Sequence, residues 1–299
     1  MKNTLLIIIA YFLMILIWST TPLAIKWSSQ GVDFISGLSL RMFIGAALAF
    51  SLALLWYKQM PLHREARQVY LASALAIYGS FMLVYWGAQY IPSGLISVLY
   101  GLTPIFTAFF ALFLLRNETF AVNKILGALL GILGLAIIFV GQLNFGEQAV
   151  FGILATLLSV ILHSASAVWI KRLNTSLPAL IVTAGGLVFS TPLFVVTLIL
   201  FAEPLPGDLP SRTLWAILYL GIMGSVVGFV SYYFVLAKLS PSTVALATLI
   251  TPVTALLLGK WFNQESISMT IFLGTSLVIS GLLIHQFYDL IRQKIFSRA

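Results

Sequence analysis

Apolar stretches of about 20 residues recur ten times along the chain, near 5–27, 34–57, 69–88, 93–115 and 122–140, and again near 150–171, 178–201, 213–237, 242–262 and 268–288. At 1.5 Å per residue such a run crosses roughly 30 Å of hydrocarbon, so the pattern predicts ten transmembrane helices. The polar breaks between them are too short for a separate soluble domain. Lys2 followed by 23 apolar residues imitates a signal peptide, but with no small-residue cleavage pattern it reads as a retained first helix.

One stretch is written twice. Ile91 to Gly134 is echoed by Leu239 to Gly281, pairing Pro92 with Pro241, Pro104 with Pro252, Glu118 with Glu265, Gly127 with Gly274 and Gly134 with Gly281, at an offset drifting from 149 to 147. Gly79 with Gly228 and Ala88 with Ala237 extend the register upstream. An internal duplication explains this. The expected halves are residues 1–145 and 146–299, five helices each within one integral domain, joined at GQLNFGEQ. Because five is odd, the second copy enters the membrane from the opposite side, which makes an inverted repeat.

Composition agrees: 61% hydrophobic and 8% charged residues exclude a soluble globular protein. The net charge of +8 does not indicate nucleic acid, because the cations are sorted between loops. With the amino terminus inside, Lys2, Lys58, Arg64, Arg67, Arg116, Lys124, Lys171, Arg172, Lys238, Arg292, Lys294 and Arg298 fall on the cytoplasmic side, against Lys26, Arg212 and Lys260 outside. Twelve against three places both termini in the cytoplasm by the positive-inside rule. The absence of cysteine excludes disulfides and thiolate metal sites, and no other metal or cofactor site is expected.

Within the spans, helix one carries Trp18, Ser19, Thr20 and Thr21 just before Pro22, so the hydroxyls either satisfy the carbonyl the proline frees or meet a substrate. Arg41 in helix two is the one clear intramembrane charge; it is either functional or snorkels to the nearer, outer end of its helix. Helix three presents Tyr78, Met82, Tyr85 and Gln89 as a single stripe, expected to face a cavity. Helices four and nine hold Pro104 and Pro252 near mid-membrane, and Gly101 adds a bending point; bendable helices at matched positions of inverted halves point to a transport path.

Helix six places Ser159, His163 and Ser166 on one face, with Ser164 beside them. His163 is the one mid-membrane group that titrates near neutral pH, and it either bonds a neighbouring helix or takes part in proton coupling or ligand contact. Glu118 and Glu265 are expected to complement the dipole of the helix that follows each. Gly221, Gly224 and Gly228 in helix eight predict close packing beside Ser231, Tyr232 and Tyr233. Gly127, Gly131, Gly134, Gly274 and Gly281 in helices five and ten predict packing or a homodimer contact.

WSTTP at 18–22, IPSGLISV at 91–98 with TP at 103–104 and NET at 117–119, and LSPSTVAL at 239–246 with TPV at 251–253, give a resemblance over nearly the whole chain. The chain resembles the drug/metabolite transporter superfamily, specifically the EamA-type ten-helix exporters. The resemblance implies a central cavity formed by helices one, three, four, six, eight and nine, with alternating access and export of small metabolites. It also implies cavity positions at Trp18, Thr21, Tyr78, Tyr85, Tyr100, His163, Ser166 and Tyr232, to which the intramembrane Arg41 is added.

The expected function is a secondary transporter in the bacterial inner membrane that exports amino acids or related amphipathic compounds. Its partners are a small-molecule substrate and the lipid bilayer. Without a phosphate-binding GxxxxGK[ST] loop, direct ATP drive is not expected, and coupling is either proton antiport or none. A lipid or drug flippase, or a carrier for other cargo, is the alternative. An intramembrane enzyme is not expected, since His163 has no nucleophile or intramembrane acid to act with.

Overall fold

The computed structural model describes residues 2–115, 122–143, 147–245 and 247–296. These form α1 (Lys2–Ser28), α2 (Phe34–Tyr57), α3 (Arg64–Gly87), α4 (Ser93–Leu114), α5 (Val122–Leu143), α6 (Glu147–Leu173), α7 (Ala179–Phe201), α8 (Ser211–Lys238), α9 (Pro241–Ala245 with Ala247–Asn263) and α10 (Met269–Phe296). The expected all-α architecture of ten helices is what is found, with no strand among the described residues. Glu118, together with Arg116 and Arg298 from the charge pattern, lies outside the described residues, as does the centre of the linker between the halves.

Local chemistry sets the helix ends. Asp33 caps α2, its Oδ1 accepting from the amides of Ile35 at 2.9 Å and Ser36 at 3.0 Å. Pro92, Pro178 and Pro210 stand immediately before α4, α7 and α8, where a missing N–H is harmless. The Ser268 hydroxyl accepts from the Ile271 amide at the start of α10. Glu265 therefore does not cap the helix that follows it. It reaches back to α4, its Oε2 accepting from the Ser93 hydroxyl at 2.8 Å and the Gly94 amide at 3.3 Å. The dipole argument was right in kind, but the recipient helix belongs to the other half of the molecule.

The surface is apolar and the interior polar, the distribution a bilayer demands. Leu16 is 65% and Ile199 74% exposed, whereas Arg41 is 1% exposed and Ser80, Ser159 and Thr183 are fully buried. The helices interlock across the halves. α1 packs on α8 and α9 of the second half, and α6 packs correspondingly on α3 and α4 of the first. α2 lies against α7 and α8. α5 and α10 pair with each other, brought close by their glycines: a Cβ on Gly134 would stand 2.5 Å from the Gly274 carbonyl oxygen, and one on Gly281 would stand 2.6 Å from that of Gly127.

Two helices contain wide turns. α3 is π-helical over Leu75–Ser80 and α8 over Leu220–Val227, segments that overlap when superposed by the 149-residue offset. Such turns hold one surplus residue, and everything beyond them is rotated relative to a regular helix. α4 is divided at Gly101 and Leu102, with Pro104 near the start of its second segment. Pro22 and Pro252 sit inside the continuous segments Lys2–Ser28 and Ala247–Asn263.

Candidate substrate cavity

Helices α1, α3, α4, α6, α8 and α9 surround a cavity of about 70 Å3 between the two halves. That volume admits a few water molecules and is far below the roughly 300 Å3 at which ligand pockets usually begin, so the path is contracted in this conformation. Trp18, Thr21, Pro22, Tyr100 and His163 line it, as do Phe81, Thr103, Phe229, Thr248 and Thr251.

Its walls repeat by inversion. Trp18 and His163 are 145 positions apart, the spacing that also relates Lys26 at the end of α1 to Lys171 at the end of α6. Tyr100 and Thr248, like Thr103 and Thr251, are separated by the 148 residues that separate Pro104 from Pro252. The cavity is thus built from equivalent positions of the two repeats filled by different residues. Such a surface has symmetric mechanics and an asymmetric lining.

His163 is enclosed by rings from three other helices, with centroids 5.9 Å away for Trp18, 5.9 Å for Tyr100 and 5.5 Å for Tyr232. Tyr232 also lies 5.2 Å from Trp18 and forms the layer behind them. Tyr100 is fixed by a closed triangle of hydroxyls, 2.7 Å from Ser159 and 3.1 Å from Ser80, which are themselves 2.8 Å apart. This triangle joins α4, α6 and α3. Beside Pro22, the Thr20 and Thr21 hydroxyls donate to the Ile17 carbonyl at 2.9 and 2.8 Å. Thr21 thus presents a side chain whose proton is already committed to its own helix.

The remaining expected site residues are placed elsewhere. The Tyr78 hydroxyl pairs with Thr197 of α7 at 2.6 Å, and the Ser166 hydroxyl donates to the Ala72 carbonyl of α3 at 2.6 Å. Tyr85 is fully buried and receives a hydrogen bond from Arg41. The expected single stripe on α3 is broken by the wide turn: Tyr78 precedes its end and Tyr85 follows it, so the two tyrosines meet α7 and α2, while Phe81 and Val84 face the cavity. Arg41 does not extend to the membrane edge. Its guanidinium turns inward between α2, α3 and α8, donating from Nε to Ser225 at 2.9 Å and from Nη1 to Tyr85 at 3.2 Å.

A sequence reading also missed Ser80, Phe81 and Phe229. Ser80 and Phe229 correspond at the 149-residue offset, which was the one available signal.

Ten helices in two inverted halves, with a cavity of equivalent residues where the halves meet, define a membrane transporter of the inverted-repeat class. The model of the EamA-like transporter family matches residues 5–140 and again 150–285, and the chain belongs to that family. It is 27% identical over 274 residues to the uncharacterized transporter YoaV of Bacillus subtilis, an alignment covering 91% of this chain and 94% of the relative. It is likewise 27% identical over 281 residues to a probable terminal-alkyne amino-acid exporter of Streptantibioticus cattleyicolor, covering 92% and 91%. A solved crystal structure shares the fold with a TM-score of 0.70 at 22% identity, over 94% of this chain and 97% of that one.

Proposed function

We propose that this transporter exports small amphipathic metabolites, amino acids or close relatives of them, across a bacterial inner membrane by alternating access, and that it is a carrier rather than an enzyme. The observation that carries this reading is the cavity at the junction of the halves, where rings of Trp18, Tyr100 and His163 meet the hydroxyl-bearing Thr103, Thr248 and Thr251. Rings accommodate an apolar side chain and hydroxyls a polar head. The relation to a probable terminal-alkyne amino-acid exporter supports the cargo class. The sorting of basic residues supports cytoplasmic termini.

Alternating access follows from the inversion: rocking one half against the other exposes the same cavity at either face. Trp18 and His163 stand at its centre as the residues proposed to meet the cargo, with Thr21 and Tyr100 beside them and Tyr232 behind. Arg41, Tyr78, Tyr85 and Ser166 act from the surrounding layer, and Pro22, Pro104 and Pro252 shape the helices that must bend. Proton coupling, if present, runs through His163.

Flux of labelled amino acids into proteoliposomes, with and without an imposed pH gradient, tests the reading. Gradient-stimulated flux that is lost in His163→Ala is the result expected of a proton antiporter, and equal flux without a gradient would make the protein a facilitator. No flux of any amino acid would overturn the cargo class.

A further inference from the structure

Arg41 is a buried cation whose described partners are all neutral. Ser225 and Tyr85 are hydroxyls, and the Phe81 ring lies with its centroid 4.7 Å from Cζ. An arginine keeps its charge in any protein environment, and an uncompensated charge inside a membrane is retained only where something answers it. The described acids are occupied elsewhere. Asp33 caps α2, Glu265 caps α4, and Glu65, Glu203 and Asp208 are exposed at the ends of the bundle. Aromatic faces relieve part of the charge without cancelling it.

The site is prepared by small residues. A Cβ on Gly224 would stand 3.0 Å from Nη2 of Arg41, and one on Gly45 would stand 2.8 Å from the Cβ of Ser225, so α2 and α8 approach closely only because both positions are glycine. Phe81 separates this pocket from the cavity. One side of its ring meets the guanidinium, and the ring stands perpendicular to Phe229 at 5.7 Å, with both rings lining the cavity wall.

The geometry points to a carboxylate on the transported molecule as the missing counter-ion of Arg41, admitted when Phe81 swings away from Phe229. The inference rests on the transport reading above and narrows it to cargo bearing one negative group. The guanidinium offers a planar pair of N–H donors that match a carboxylate. The Ser225 and Tyr85 hydroxyls accept from Arg41, which leaves their own protons free to donate to the same anion. One cation matches one negative charge, and a phosphate dianion would need a second.

The test measures the unfolding midpoint of the purified protein while titrating L-phenylalanine, phenylacetate and L-phenylalaninamide. Phenylalanine and phenylacetate should stabilise wild type with an apparent affinity about tenfold or more above that of the amide, the scale of a charge-assisted hydrogen bond. Arg41→Gln should abolish the difference, Arg41→Lys should keep part of it, and Tyr85→Phe should reduce it with the charge intact. Equal stabilisation by acid and amide, stabilisation by none of the three, or an undiminished preference in Arg41→Gln would each overturn the anion site. The wild-type comparison decides even where a variant does not fold. Proteoliposome flux separates this inference from the transport reading: amino-acid flux unchanged in Arg41→Gln removes the anion site and leaves transport standing. Carboxylate-dependent stabilisation without any flux does the reverse.

Discussion

At one end of the bundle, Lys26 leaves the last turn of α1 and donates to the carbonyls of Ala88 at 2.7 Å and Ile91 at 3.2 Å, where α3 finishes. At the other end, 145 positions later, Lys171 leaves the last turn of α6 and donates to Leu236 at 2.9 Å, Ala237 at 3.4 Å and Leu239 at 2.9 Å, where α8 finishes. The lysine supplies donors to carbonyls that a helix terminus leaves unsatisfied, and inversion has carried the device to both faces. The ties between the halves differ. Near Lys26 they run through a carboxylate: Glu265 binds the start of α4, Asn263 donates to Glu265 at 2.8 Å, and Trp27 donates to Asn263 at 3.2 Å. Near Lys171 the described ties are neutral, Ser73 to Tyr233 at 2.6 Å, Ser166 to Ala72 at 2.6 Å and Tyr11 to Thr243 at 3.0 Å. Charge-assisted bonds are roughly twice as strong as neutral ones, so the Lys26 end is the harder one to open.

The largest effect should come from the carboxylate. In Glu265→Ala, a single cysteine placed at Ser97 in the cavity wall should react with a membrane-impermeant thiol reagent about tenfold faster than in the parent, from the usual worth of a hydrogen bond to a charged group. The chain has no cysteine of its own, so the label reports that position alone. An unchanged rate would mean that the clamp does not hold the Lys26 end shut.

The two lysines sharpen the comparison. Lys26→Met and Lys171→Met each remove a donor from chain-end carbonyls, a loss of roughly 1 kcal/mol or about fivefold in accessibility. Under alternating access they should favour opposite faces, and the double variant should return toward the parent. Independent effects that simply add, the behaviour of distant uncoupled sites, would separate the ends from one another. The smallest change belongs to Tyr11→Phe, which deletes one neutral hydroxyl–carbonyl bond near Lys171. Accessibility should rise about two- to threefold, on a net worth of roughly 0.5 kcal/mol. A response as large as that of Glu265→Ala would erase the distinction between the ends.

The ten spans and their inversion were legible because bilayer thickness imposes length and hydropathy on each helix, while proline and glycine punctuation survives duplication. Trp18, Thr21, Tyr100 and His163 were legible as polar or aromatic exceptions on apolar helices, and all four line the cavity. Phe81 was not, because helical periodicity assumes a constant angle per residue and α3 abandons it at Leu75–Ser80. Nor was the destination of Glu265, since a side chain that serves a helix 172 residues away leaves no local mark. Lys26 and Lys171 were counted as loop charges that set orientation. Their shared 145-residue spacing was visible, but their carbonyl partners appear only once α1 meets α3 and α6 meets α8.

The wide turn of α3 also sets a rotational phase. Deleting one residue within Leu75–Ser80 would restore regular winding and turn the remainder of the helix about 100° while drawing it back about 1.5 Å. Phe81 and Val84 would leave the cavity wall together, although neither had been altered. A one-codon deletion in α3 is therefore a twist of a screw, whereas in the stretch between α2 and α3 it merely takes up slack.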